Sequence, residues 1–99
     1  MYKILEARNL ASNIFLMDVL APRVAAACEP GQFVIVRIDE KGERIPLTIC
    51  DYDREKQTVT IVVQTIGAST NRMQELKAGD SFRDFTGPLG KPSKYMWAR

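Results

Sequence analysis

Apolar residues fall in short runs along this chain, and each run stops at Gly, Pro, Asn or a group of charges. "YKILEARNL" (2–10) and "NIFLMDVLA" (13–21) are rich in Ile, Leu, Val and aromatic residues. Only Ala11-Ser12 separates them, so they predict an antiparallel pair. The alanines of "PRVAAACEPGQ" suggest a helix, but Pro22 and Pro30-Gly31 bracket them, and a loop with one turn of helix is expected. "QFVIVRI" is nearly continuous in β-formers and ends at "DEKGE", a turn built on Gly42. In "QTVTIVVQTIG", Val59, Ile61 and Val63 alternate with Thr58, Thr60 and Val62, the period of a strand. Its partner is "IPLTICD", joined to it by the five residues "YDREK", a length that suits a hairpin.

"STNRMQELKAG" carries the helical signature: Ser69 or Thr70 as cap, Met73 and Leu76 on one face, Gly79 as the stop. "DSFRDF" reads as a last strand, and the Gly and Pro residues of "TGPLGKP" end regular structure. Six strands on short turns with one short helix predict an all-β barrel or sandwich, closed or nearly so to hide its edges. One residue stands out. Pro46 lies second in the run "IPLTICD", where a central strand would need the N–H that proline lacks. Its presence implies a strand start, a tight turn, or a strand that leaves one backbone face open to a ligand.

Composition narrows the chemistry. With 45% hydrophobic and 26% charged residues, the 99-residue chain is that of an ordinary globular protein. By size scaling it buries roughly 65% of its unfolded surface. Its 14 basic and 12 acidic residues are scattered, so the clustered cationic footprint of a nucleic-acid binder is absent. No apolar run approaches the ~20 residues of a membrane span. The N-terminus lacks a signal-peptide core, which makes the cytoplasm the default location. There is no histidine, and the two cysteines, Cys28 and Cys50, are too far apart for a CxxC motif. The usual general base, His-dependent nucleophiles and four-ligand zinc or iron–sulfur sites are thereby excluded. Redox or group-transfer chemistry would come from a bound organic cofactor. Each cysteine reads as a small buried hydrophobe.

Three stretches could hold one: "PGQFV", "RIPLTI" and "GAST", followed by "GPLG". Where "IGAST" passes from strand to helix, free N–H groups and the positive end of the helix dipole suit a phosphate. Taken alone it is equally a capped helix, Arg44 a solvated turn residue, Thr48 a β-branched strand residue, and Gly87–Gly90 a turn.

In order, however, these pieces resemble the flavin-binding domain of the ferredoxin–NADP reductase superfamily over about residues 1–92. Within it they are more closely similar to the N-terminal part of the small subunit of NADH-dependent ferredoxin:NADP oxidoreductase (sulfide dehydrogenase β subunit). The electron-transfer subunit of dihydroorotate dehydrogenase is a near relative. The resemblance implies a six-stranded antiparallel Greek-key barrel that binds FAD and relays electrons between NAD(P)H and iron–sulfur centres or ferredoxin. It places Pro46, Leu47 and Thr48 along the isoalloxazine, with the Thr48 hydroxyl or backbone near flavin N5. Arg44 would reach the pyrophosphate, which Gly67, Ala68, Ser69 and Thr70 would bind from the helix start. Val63, Gln64 and Thr65 would line the ribityl chain and ring edge.

The chain departs from the superfamily pattern of Arg, any residue, Tyr, then Ser or Thr. Ile45 stands three before Thr48, the arginine is one further back, and Leu47 replaces the aromatic, for which Tyr52 is a candidate substitute. Residues 93–99 are expected to lead toward a nucleotide-binding domain absent from this chain: no G-x-G-x-x-G opens a helix, and Pro92 follows Gly90 closely. The NAD(P)-binding domain and an iron–sulfur subunit are then partners in a larger complex, and the chain is not expected to turn over alone. The alternative is a non-catalytic barrel that binds protein, its flavin site lost, with Tyr95, Met96 and Trp97 as the exposed surface. A lumazine-binding barrel shares the architecture, but no internal repeat is present.

Overall fold

All six apolar runs form strands, and among the described residues every strand pairing is antiparallel. The structure, a computed structural model, describes residues 2–91, so the aromatic tail Tyr95, Met96 and Trp97 lies outside the described residues. The elements are β1 (Tyr2–Ala11), β2 (Ile14–Leu20), α1 (Pro22–Ala27), β3 (Phe33–Arg37), β4 (Ile45–Asp53), β5 (Thr58–Gln64), α2 (Ala68–Gln74), β6 (Ser81–Phe82) and β7 (Asp84–Leu89). Their order in the sheet is β6-β1-β2-β5-β4-β3-β7. Strands β3, β4 and β5 form a meander, and β2 lies beside β5 instead of β3, the Greek-key arrangement.

Seven strands replace the expected six because "DSFRDF" divides at Arg83. Before it, Ser81 and Phe82 pair with Lys3 and Tyr2; after it, Asp84 and Phe85 pair with Arg37 and Val36. The two ends of the sheet are therefore consecutive in the chain, which brings the barrel nearly to closure. The Arg83 N–H donates to the carbonyls of Arg37 (2.9 Å) and Ile38 (3.3 Å) at this corner. Beside it the paired residues Arg37 and Asp84 form a half-buried ion pair of 2.7 Å.

Two short helices replace the expected one. Proline needs no N–H at the first position of a helix, so Pro22 starts α1 instead of blocking it. The "TGPLG" segment is also more regular than expected, since β7 runs through Gly87 and Pro88 to Leu89. The β3–β7 register shifts between Phe33 and Ile35, and a bulge of this kind tolerates a donor-free proline. Nor does Gly79 end α2. The helix stops at Gln74, and Gly79, at φ 100°, turns the chain so that its N–H reaches the Ile4 carbonyl at 2.8 Å.

The alternation puts one face of β2, β3, β4 and β5 inside. Phe15, Met17 and Val19 of β2, Val34 and Val36 of β3, Leu47 and Ile49 of β4, and Val59, Ile61 and Val63 of β5 are buried together. Met73 of α2 joins this core, with Leu76 packed against it, so the helix face read from the sequence is the one that docks.

Glycine at position 87 is required by close approach. A Cβ there would stand 2.9 Å from Val34 Cγ1 and 3.1 Å from the Phe33 carbonyl oxygen, and Val34 is fully buried. Gly87→Ala is expected to destabilise the fold by about 1–3 kcal/mol through overpacking. Urea unfolding with an unchanged midpoint would contradict this.

Candidate functional site

The start of β4 and the start of α2 face each other across a groove of about 320 Å³. It is lined by Glu43, Arg44, Ile45 and Pro46 on one wall and by Ile66, Gly67, Ala68 and Thr70 on the other. Five residues singled out from the sequence, Arg44, Pro46, Gly67, Ala68 and Thr70, therefore meet in one place although more than 20 positions separate the two segments. A larger cleft of about 450 Å³, lined by Tyr2, Pro22, Arg23, Phe85, Thr86 and Gly87 among others, shares with the candidate stretches only Gly87 of "GPLG".

Backbone alternation explains Pro46. The Ile49 N–H bonds the Gln32 carbonyl at 2.8 Å, so residues of β4 at odd positions face β3 through their backbone. Pro46, opposite Ile35, and Thr48, opposite Phe33, occupy the intervening pairs, and their backbone edges point away from β3. The missing proline N–H thus costs the β3–β4 ladder nothing. On the other side, β4 pairs with β5 only from Ile49 onward, where a register shift between Ile49 and Asp51 begins to spread the strands. Ile45–Thr48 consequently ladder with β3, and Val62–Gln64 with β2.

Side chains along the two strands divide by face. Pro46, Thr48 and Gln64 are exposed, whereas Leu47 and Val63 point into the core. Leu47 and Val63 can offer an external ligand only backbone. The Thr65 hydroxyl donates to the Asn13 carbonyl at 3.1 Å, to which the Thr65 N–H also donates at 2.8 Å. Tyr52 does not line the groove. It is half-buried farther along β4, with the Arg54 guanidinium 4.4 Å over its ring.

At the helix start, Gly67 is the N-cap and Thr70 the third residue of α2, not its cap. The Thr70 hydroxyl oxygen accepts from the N–H groups of Ile66 (2.9 Å) and Gly67 (3.1 Å), folding the incoming chain over the first turn. The N–H groups of Ala68, Ser69 and Thr70 have no carbonyl to reach within the helix, as at any α-helical start. Of these three residues, Ala68 and Thr70 line the groove. Arg44 is exposed and has no ion-pair partner among the described residues, so its guanidinium is available at the opposite wall.

A contact with no signal in the sequence links the walls. Arg72 of α2 donates to Asp39 Oδ2 at 2.8 Å, while Asp39 Oδ1 accepts from the Lys41 N–H at 3.0 Å within the loop that leads to Arg44. The Arg72 hydrogen bond holds the Asp39 carboxyl below the usual carboxylate range. A depressed carboxylate contributes its stabilisation above the unfolded pKa and loses it as pH falls through the folded one. The Asp39–Arg72 pair is therefore intact at neutral pH.

Among the described residues no group of His, Cys, Asp and Glu could hold a metal ion, and no helix is long and apolar enough to cross a membrane. Cys28 is fully buried, and desolvation pushes its thiol up.

No family model matches the chain. A protein of Clostridium beijerinckii known from the adh 3' region is 57% identical over 96 residues, covering 97% of this chain and 32% of that protein. A Thermotoga maritima homologue of the dihydroorotate dehydrogenase B (NAD(+)) electron transfer subunit is 39% identical over 92 residues, or 93% of this chain and 33% of the relative. The corresponding electron transfer subunit of Fusobacterium nucleatum is 33% identical over 89 residues, or 87% and 34%. Among solved structures, that of the NADH-dependent reduced ferredoxin-NADP oxidoreductase, described for flavin-based electron bifurcation, superposes with a TM-score of 0.91. Its identity is 38%, with 95% of this chain and 34% of that chain covered. The chain spans about a third of the length of the curated relatives it matches. By sequence and architecture together, this is an all-β barrel of the ferredoxin–NADP reductase type, resembling part of the dihydroorotate dehydrogenase electron transfer subunits and of NADH-dependent ferredoxin-NADP oxidoreductase.

Proposed function

We propose that residues 1–92 form an FAD-binding domain of a cytoplasmic electron-transfer oxidoreductase, relaying electrons between an NAD(P)H site and iron–sulfur centres held elsewhere in the complex. The observation that carries this reading is the groove itself. An exposed arginine and a helix start converge on it, and at Gly67 it has room that the fold does not need. Gly67 has an extended backbone (φ −170°), which any residue adopts, and a Cβ added there meets nothing within 4 Å. Neither strain nor packing demands glycine; an occupant of the groove would.

The donor set suits a dinucleotide pyrophosphate: the Arg44 guanidinium from one side, the N–H groups of Ala68, Ser69 and Thr70 from the other. Pro46 and Thr48 present an exposed strand face on which the isoalloxazine would lie, with Thr48 toward N5. The backbone of Leu47 and Val63, with Gln64 and Thr65, would complete the ring edge and ribityl contacts. FAD, when bound, would supply the redox chemistry, and the protein its orientation and electrostatics. With no histidine and two cysteines, these 99 residues offer fewer than the four Cys or His ligands of an iron–sulfur centre. A groove of about 320 Å³ lies at the small end of ligand sites. A second wall from a nucleotide-binding domain would therefore strengthen FAD binding.

Absorbance and fluorescence test the reading. Flavin bands at ~370 and ~450 nm in the purified protein, or saturable one-to-one quenching on FAD titration, are the expected results. Well-folded protein that takes up neither FAD nor FMN would refute it and favour the interaction module. Thr48→Val should then shift the flavin potential more than it weakens FAD binding. Equal potentials by dye equilibration would remove Thr48 from N5.

A further inference from the structure

The two walls of the groove arise from separate parts of the fold. The Arg44 wall is the end of the loop between β3 and β4, and the opposite wall is the first turn of a helix of seven residues. So short a helix has little stability of its own and takes its orientation from tertiary anchors. One anchor is Met73, fully buried, which fixes α2 against the barrel. Another is Arg72, the preceding residue, which points to Asp39 in the opposite wall's loop at 2.8 Å. Asp39 is itself set within that loop: its Oδ1 accepts from the Lys41 N–H and its carbonyl from the Gly42 N–H at 3.1 Å. A displacement of α2 relative to Asp39 would therefore be a displacement relative to the whole turn that delivers Arg44.

We propose that Asp39 and Arg72 are a positioning pair, holding the Arg44 wall and the start of α2 at the separation needed to grip a dinucleotide phosphate from both sides. This rests on the flavin reading above, and it assigns affinity to two residues that touch no cofactor. Both side chains are about half exposed (50% and 51%), so their contribution to global stability is small. Their effect falls on groove geometry instead.

The test is a double-mutant cycle on the full chain with Asp39→Asn and Arg72→Met, since asparagine can still accept from the Lys41 N–H. FAD titration should show each single variant about three- to fivefold weaker than the parent, with the double variant no more than about twofold below the worse single. Thermal midpoints should stay within roughly 5 °C of the parent. Amide exchange in the flavin-free protein is the second readout: the Asn71 N–H, bonded to the Gly67 carbonyl at 2.9 Å, should exchange at least about threefold faster in both singles. Unchanged exchange together with unchanged FAD affinity overturns the pair. So do additive losses, or a loss confined to Arg72→Met, because either means that Arg72 acts on the ligand directly. Failure of the parent itself to bind FAD overturns the flavin reading instead, and in that case the exchange comparison alone decides whether the pair holds the two walls.

Discussion

Gly67→Asp is expected to leave the barrel at least as stable as the parent and to weaken FAD binding by roughly tenfold or more. The two effects separate because the position serves fold and ligand differently. As N-cap of α2, residue 67 has extended backbone that aspartate adopts without strain, and a Cβ there meets no protein atom within 4 Å. Aspartate is among the best N-caps, its carboxylate accepting from the second or third N–H of the helix and favoured by the dipole. Those are the same N–H groups proposed to meet the pyrophosphate. The substituted carboxylate both occupies the donors and repels the phosphates, and a loss of about 1.4 kcal/mol already corresponds to tenfold. Gly67→Ala, with no charge, should bind FAD more tightly than Gly67→Asp although it caps the helix less well. A Gly67→Asp protein that melts normally and binds FAD like the parent would remove the helix start from the site.

How much of this could be read beforehand depends on the range over which each signal acts. Val59, Ile61 and Val63 marked β5 because alternation is local, and Met73 and Leu76 marked the docking face of α2 for the same reason. The division of "DSFRDF" was hidden, since Phe82 and Phe85 are apolar on either side of Arg83 and only the change of partner, from β1 to β3, makes two strands of one. Pro22 and Pro88 were read as breakers. One instead occupies a helix start, where no N–H is required, and the other a strand with a register shift. The groove residues were named through the order of motifs that resembles a known superfamily. Their individual chemistry would not have separated Arg44 from any other surface arginine. Ser69 or Thr70 was expected as the cap; the cap is Gly67, and Thr70, three positions on, bonds back to Ile66 and Gly67, a difference that residue type alone cannot resolve. The Asp39–Arg72 contact spans 33 positions and left no trace in composition or spacing.

The largest loss of stability is expected at Phe85, where closure of the barrel depends on packing across a seam. Phe82 of β6 stands in the sheet edge next to β1, and Phe85 of β7 stands next to β3, so no ladder pairs the two ends, which the chain links only through Arg83. Aromatic packing closes the gap beside that link. The Phe85 ring lies 6.3 Å from that of Phe82 and 5.8 Å from that of Tyr2, both tilted by about a third of a right angle (34° and 33°). Phe85 is 2% exposed, and truncating such a residue to alanine removes its transfer energy and leaves a cavity, at about 3–5 kcal/mol. Against the ~5–15 kcal/mol that hold a typical domain, this is a large fraction. The thermal midpoint of Phe85→Ala should fall by roughly 15 °C or more. Phe85→Leu, which keeps much of the volume, should recover more than half of that loss. The groove is built from β4 and α2, neither of which includes the seam, so at temperatures where Phe85→Ala remains folded its FAD affinity should stay within about twofold of the parent, as for independent sites. A Phe85→Ala protein that melts like the parent would show that the seam is held by the Arg83 corner and the Arg37–Asp84 pair. One that is stable but flavin-free would tie the seam to the site, against the separation of scaffold and groove drawn here.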